Sequence, residues 1–202
     1  MIFFKKEYWL ESISHFKKVK SIALMSIFIA VGVVIGGLSS YFPLKVFDRE
    51  MSLLFILWPI VGLMFGPVPS MVLAGIVDLL VFIVFPTGYP MYIGYTLTQM
   101  LIGLINGLFF YKSKVTLLKL FIAKFIINFG IHVGIESLFM ADIMHYTFEM
   151  YKTYVIGGAI KNGIFLPIET AIMFVVMGAL LPVFKVLKIT DQEYQDKIYI
   201  IK

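Results

Sequence analysis

The chain has 202 residues, 60% of them hydrophobic and 14% charged, and its mean hydropathy is +0.96. Those values exclude a soluble globular domain of this size and indicate an integral membrane protein. Cysteine is absent, which excludes disulfides and thiol chemistry, and the net charge of +5 sits in short segments beside apolar runs, not on a solvated basic face suited to nucleic acid.

In residues 1–20, Ile2, Phe3, Phe4, Tyr8, Trp9, Ile13, Phe16 and Val19 alternate with lysines and serines at near-helical spacing. This predicts a helix lying in the inner membrane interface; a signal peptide would need a small-x-small cleavage site after a short apolar core. Ile22 to Phe42 is long enough to cross ~30 Å of hydrocarbon at ~1.5 Å per residue, and Pro43 follows it. The second run, Ser52 to Phe65, is short, holds Pro59 as a potential break, and ends at Gly66-Pro67. Val68 to Phe85 is a third run, closed by Pro86-Thr87-Gly88-Tyr89-Pro90, and Met91 to Tyr111 a fourth. Val115 to about Leu138 is a fifth, and Tyr154 to Phe184 is a long sixth that contains Pro167. The expectation is an all-α integral membrane protein with six transmembrane helices in one bundle (residues 21–188), an amino-terminal interfacial helix (1–20) and a cytosolic tail (189–202).

Six spans place both termini on one side, and lysines choose that side. Lys5, Lys6, Lys17, Lys18, Lys20, Lys112, Lys114, Lys119, Lys185 and Lys188 all fall on one face of the membrane, which the positive-inside rule makes cytoplasmic. Pro43 to Met51, Pro86 to Pro90 and roughly Phe139 to Thr153 become the outward loops of a multi-pass cell-membrane protein.

Lys124, Asn128, His132 and Glu136 recur every fourth residue in an otherwise apolar run, which stacks them on one helical face. A charged side chain costs on the order of 3 kcal/mol at the bilayer centre, so this face must look into protein or a wet cavity. Lys124 and Glu169 lie at similar depth and are expected to form an ion pair between spans five and six. Asp78, Gln99, His132, Glu136, Lys161 and Asn162 fall in the outer halves of spans three to six, as candidate ligand contacts; Asp78 equally suits a hydrogen bond between helices, and a lone histidine such as His132 is more often packed and hydrogen-bonded. Phe82, Phe85, Tyr89, Tyr92 and Tyr95 surround an outward loop, where rings stack on a heteroaromatic ligand or form an interfacial belt. Ser26 and Ala30, like Gly32 and Gly36, place small residues four apart, which lets another helix approach closely.

No Gly-x-Ser-x-Gly nucleophile motif occurs, His15, His132 and His145 lack metal-ligand spacing, and no nucleotide-binding glycine-lysine loop exists. No catalytic residue, metal or cofactor is therefore expected, and any ATP-derived energy must come from partners. A stand-alone secondary transporter, which needs no ATPase, also suits the polar stripe.

Phe65-Gly66-Pro67, Asp78, Phe85-Pro86-Thr87-Gly88, Gly94-Tyr95-Thr96-Leu97, Gly107 to Tyr111, and Lys161-Asn162 ahead of Leu166-Pro167-Ile168-Glu169 follow one another along the chain. That ordered set resembles the substrate-binding S components of energy-coupling factor vitamin transporters, most closely the folate family, over roughly residues 8 to 188. The resemblance implies a vitamin pocket near the outer face, involving Asp78, Thr87, Tyr95, Gln99, His132, Glu136, Lys161 and Asn162. It also implies a transmembrane coupling subunit and two cytosolic ATPases as partners, docked through Ser26 and Ala30, with serine where the family motif has alanine. Folate binders of this kind tend to carry an arginine near the start of the last span. Here Gly158-Ala159 stand there and Lys161 is the nearest cation, which leaves pantothenate or another carboxylate-bearing vitamin open beside folate. Glu136-Ser137 replace an asparagine-threonine pair, and the glutamate can pair with Lys161 or accept hydrogen bonds from a pterin-like amino group.

Overall fold

Apolar runs of this length must satisfy their own backbone groups in hydrocarbon, and helix is how a single segment does so. The computed structural model describes residues 5–41, 44–46, 49–86, 91–187, 195 and 198–200. It opens with α1 (Lys6–Ser14) and α2 (Val19–Tyr41), followed by an antiparallel hairpin of β1 (Leu44–Val46) and β2 (Arg49–Met51) in the expected Pro43 to Met51 link. Then come α3 (Leu57–Phe65), α4 (Pro67–Val84), α5 (Ile93–Phe110), α6 (Leu117–Phe125), a π-helical segment (Ile126–Ile135), α7 (Glu136–Ile143) and α8 (Phe148–Leu187). Val19–Tyr41, Pro67–Val84, Ile93–Phe110, Leu117–Ile143 and Phe148–Val186 are each long and apolar enough to cross a membrane, and Leu53–Phe65 is a shorter apolar helix.

Three of the expected spans differ in detail. Pro59 does not break the second, because it is the third residue of α3, where a missing N–H leaves no intrahelical bond unmade. The shortness comes instead from the 3-10 turn Leu53–Ile56, capped by Ser52 Oγ accepting from Leu54 N at 3.3 Å. The fifth run continues past Leu138 to Ile143, and its middle is π-helical. On an α-helix a four-residue spacing drifts by about 40° per step; the wider i→i+5 turn drifts in the opposite sense, so Lys124, Asn128, His132 and Glu136 stay on one side of the segment. The last helix starts at Phe148, not Tyr154, so the expected Phe139 to Thr153 loop shrinks to a turn at Met144–Thr147, where His145 takes φ 51.

α3, α4 and α5 touch backbone to backbone. A Cβ on Gly62 would lie 2.7 Å from the Asn106 carbonyl carbon, on Gly103 2.3 Å from Ser70 O, and on Gly107 2.3 Å from Pro67 Cα. Small residues permit that approach, and between apolar helices close packing supplies the attraction. The turn from α3 to α4 rests on Gly66, whose φ of 84 favours glycine, followed by Pro67 at the first position of α4. On α2 the small residues divide between two faces: Gly32 and Gly36 pack against Val77 and Val81 of α4, whereas Ser26 and Ala30 are exposed. Trp58, Val61, Phe65, Leu73, Val77 and Phe110 centre the core of this half, and Met173, Met177 and Leu181 of α8 extend it.

The lysine-bearing end is closed by both flanking segments. α1 is more than an interfacial helix, since Tyr8 and Ser12 are buried against the bundle. Tyr8 OH donates to Gly107 O at 3.3 Å, and burial pushes its phenol above the ordinary value. Ser12 Oγ donates to Phe65 O at 3.1 Å and accepts from Val68 N at 3.3 Å, tying both sides of the Gly66 turn. His15 Nδ1 meets Ser21 Oγ at 3.0 Å, and Lys112 pairs with Glu11. Nor is the tail a free extension where it is described. Tyr199 bridges Thr116, and Leu117 N and Leu118 N donate to Tyr199 O and Ile200 O at 2.9 and 3.4 Å. Gln195 bonds both backbone groups of Val115, at 3.1 and 2.7 Å. These contacts serve N–H groups at the start of α6 that have no intrahelical acceptor.

Candidate functional site

The polar side chains that apolar helices cannot show to lipid converge on a cavity of about 640 Å³ enclosed by α2, α3, α4, α5, the π-helical segment and α8. Asp78 reaches it from α4, Tyr95 and Gln99 from α5, His132 from the π-helical segment, Glu136 from α7, and Lys161 and Asn162 from α8. Every expected ligand residue within the described part of the chain thus borders one space. Thr87 lies outside the described residues, as does Tyr89.

Short hydrogen bonds orient the acids. Thr96 Oγ1 donates to Asp78 Oδ2 at 2.7 Å, which joins α4 to α5 across the cavity wall. Glu136 Oε2 meets His132 Nδ1 at 2.7 Å, and its Oε1 is 2.9 Å from Thr98 Oγ1. Glu136 is thus hydrogen-bonded to His132 and Thr98, and it shares the cavity wall with Lys161. Lys161 Nζ stands 5.6 Å over the Phe165 ring, and Asn162 Nδ2 donates to Gly158 O at 2.9 Å.

Lys124 and Glu169 pair as expected, at 3.2 Å, with side chains 5% and 7% exposed. Asn128 Nδ2 donates to the same carboxylate oxygen at 2.9 Å, and Lys124 Nζ lies 4.8 Å above the Phe55 ring. Both members of the pair also border the cavity, so they form part of its wall as well as a tether between helices.

The aromatic wall differs from expectation. Among the described aromatics named from the sequence, Tyr95 borders the cavity; Tyr92 packs on Tyr95 and Phe139, and Phe85 on Tyr41 and over Gly37. Phe82 is half-buried and outside the lining. Phe55, Trp58 and Tyr154 supply the other rings, and Ser39, Ser40 and Asn106 further polar groups, none of which was expected at the site. Asn106 was detectable, because it follows Gln99 by two helical turns on the same face of α5. Trp58 lies in an unbroken apolar run and carries no such signal. Among the described residues, no group of three or more His, Asp or Glu is placed to hold a metal ion. A cation, oriented carboxylates and several ring faces in one partly apolar space suit a flat small molecule with its own charged and hydrogen-bonding ends.

No family model matches the chain. It is 26% identical over 115 residues to a protein named Folate transporter FolT from Clostridium novyi (strain NT), covering 56% of this chain and 63% of that relative. It is 23% identical over 132 residues to a Folate transporter FolT from Leuconostoc mesenteroides, covering 64% of this chain and 71% of the relative. The alignment thus spans a little under two thirds of the Clostridium novyi protein. A crystal structure described as FolT bound with folic acid superposes with a TM-score of 0.68 at 29% identity, over 82% of this chain and 95% of that one. These likenesses support the resemblance to the folate-family S components, and with the long apolar helices they mark a multi-pass membrane protein of bacterial type.

Proposed function

From its place among the folate-family substrate-binding components, to which its sequence and its backbone are both similar, we propose that this chain captures folate for ATP-driven uptake by an energy-coupling factor transporter. The observation that carries the reading is the single cavity bordered by Asp78, Tyr95, Gln99, His132, Glu136, Lys161 and Asn162, in a backbone similar to one described as bound to folic acid. A volume of about 640 Å³ lies within the range of roughly 300–1,000 Å³ of small-molecule pockets. In this reading the bundle crosses the membrane six times with both termini cytoplasmic. Contacts of α1 with the Gly66 turn and Gly107, and of Tyr199 with Thr116, support that topology, since they gather the lysine-bearing links at one end. Thr87, outside the described residues, is kept as a ligand contact by the resemblance alone, and the exposed face of α2 at Ser26 and Ala30 receives a transmembrane coupling subunit that works with two cytosolic ATPases.

Lys161 holds a ligand carboxylate, a charge-assisted hydrogen bond worth ~1.5–3 kcal/mol in a partly dry site. The test is titration of the purified chain with folic acid and with its glutamyl diamide, pantothenate serving as competitor. Lys161→Ala should weaken folic acid binding roughly 10- to 100-fold and change diamide binding little. Equal loss for both ligands would make the lysine structural, and displacement of folic acid by stoichiometric pantothenate would replace folate as the substrate. Vesicles carrying this chain alone should bind the vitamin without accumulating it.

A further inference from the structure

Three side-chain atoms among the described residues are buried with no hydrogen-bond partner: Trp58 Nε1, Asn106 Oδ1 and Asn128 Oδ1. Trp58 and Asn106 border the cavity and are each 2% exposed. Buried polar groups in native proteins are almost always paired, so orphans that border a cavity need an explanation. The amide orientation of Asn106 is settled by chemistry. Its Nδ2 donates to Ile102 O at 2.8 Å, and because a carbonyl can only accept, the oxygen end is the one left over. The two residues are also close in the fold: Trp58 precedes Gly62 by one turn, and Gly62 touches the Asn106 backbone. One orphan is a donor and the other an acceptor.

We propose that Trp58 Nε1 and Asn106 Oδ1 form a donor and acceptor pair that reads the polar edge of a planar nitrogen heterocycle lodged in the most buried part of the cavity. The indole N–H needs a ring nitrogen or carbonyl oxygen, and the amide oxygen needs a ring N–H or an amino group. The amino-oxo-pyrimidine edge of a pterin carries both side by side. A carboxylate offers acceptors alone and would leave the Asn106 oxygen without a donor, so this pair turns the ligand's acidic end away, toward Lys161. The proposal rests on the folate reading and adds to it the residues that select the ring and set its direction.

The experiment titrates wild type, Trp58→Phe and Asn106→Leu with folic acid and with pteroic acid, which keeps the bicyclic ring and lacks the glutamyl group. Each substitution should weaken both ligands by the same factor, about 10-fold, whereas Lys161→Ala weakens folic acid far more than pteroic acid. Ligand-free melting temperatures are measured alongside to separate binding from folding, because Asn106→Leu also removes the Nδ2 bond to Ile102 O and Trp58→Phe shrinks a buried core ring. Unchanged affinities overturn the pair as a ligand contact and leave ordered water as its occupant. Loss for folic acid with pteroic acid spared overturns the direction, since the pair would then face the glutamyl end. Failure of wild type to bind either compound removes the folate reading and this subsite together, whereas wild-type binding with unaffected variants removes the subsite alone.

Discussion

Replacing Lys124 with methionine removes the ammonium and keeps most of the side-chain length. Glu169 Oε2 then loses its 3.2 Å partner and retains Asn128 Nδ2 at 2.9 Å, a neutral donor for a carboxylate that is 7% exposed. Breaking a buried ion pair from one side costs ~3–5 kcal/mol, because a charge is left without compensation. At ~2–4 °C per kcal/mol for a chain of this length, melting should fall by on the order of 10 °C. Glu169→Gln should cost a similar amount by stranding the lysine. The double substitution Lys124→Met/Glu169→Leu should recover much of the loss, since apolar volume often replaces a buried pair at little cost. Intrinsic fluorescence of Trp9 and Trp58 in detergent follows the transition. A Lys124→Met protein melting within about 2 °C of wild type, or a double variant no better than either single one, would refute the reasoning.

Ala30→Trp should abolish co-purification with the coupling subunit and leave vitamin affinity unchanged, because Ala30 is exposed while Gly32 and Gly36 of the same helix face α4; undiminished co-purification places docking elsewhere. Removing residues 195–202 takes away the acceptors for Val115 N, Leu117 N and Leu118 N, at ~1 kcal/mol each, so hydrogen exchange at those amides should quicken with little change in α3 or α5. Burial holds the Tyr8 phenol above its ordinary value of 10.0. The contribution of Tyr8 is therefore complete below pH 10.0 and fades as pH rises through the higher folded value. Proteolysis of α1 should accelerate in that alkaline range, and Tyr8→Phe should remove the pH dependence.

Features set by a residue's own environment were legible in the chain. Lys124, Asn128, His132 and Glu136 each face protein because lipid cannot accept them, and that rule needs no knowledge of the partner helix. The pairing of Lys124 with Glu169 followed from depth alone. What depended on a specific distant backbone was hidden. Ser12 reads as an ordinary serine until the turn at Gly66 offers Phe65 O, 53 residues along the chain. The π-helical segment gave no residue-level sign, because its apolar residues suit either helix and a four-residue polar period lies between the two turns. Trp58 was invisible as a site residue for a similar reason, since its ring belongs to the core and only its nitrogen bears on the cavity.

The glycines divide the bundle into two walls of unequal stiffness. Gly62, Gly103 and Gly107 set main chain against main chain in α3, α4 and α5, with no side-chain cushion to deform. In the other wall none of Gly130, Gly134, Gly163 and Gly178 has the main chain of another helix within 4 Å of its Cβ position, and Gly130 and Gly163 are exposed. Trp58, Asp78 and Asn106 stand on the rigid wall, and His132, Glu136 and Lys161 on the compliant one. Entry and release of a ligand should therefore proceed by yielding of α8 and its neighbours while α3 to α5 stay still. Spin labels at exposed Ile76 and Ile160 would register that as a ligand-dependent change in separation, and labels at Ile76 and Leu101 would not.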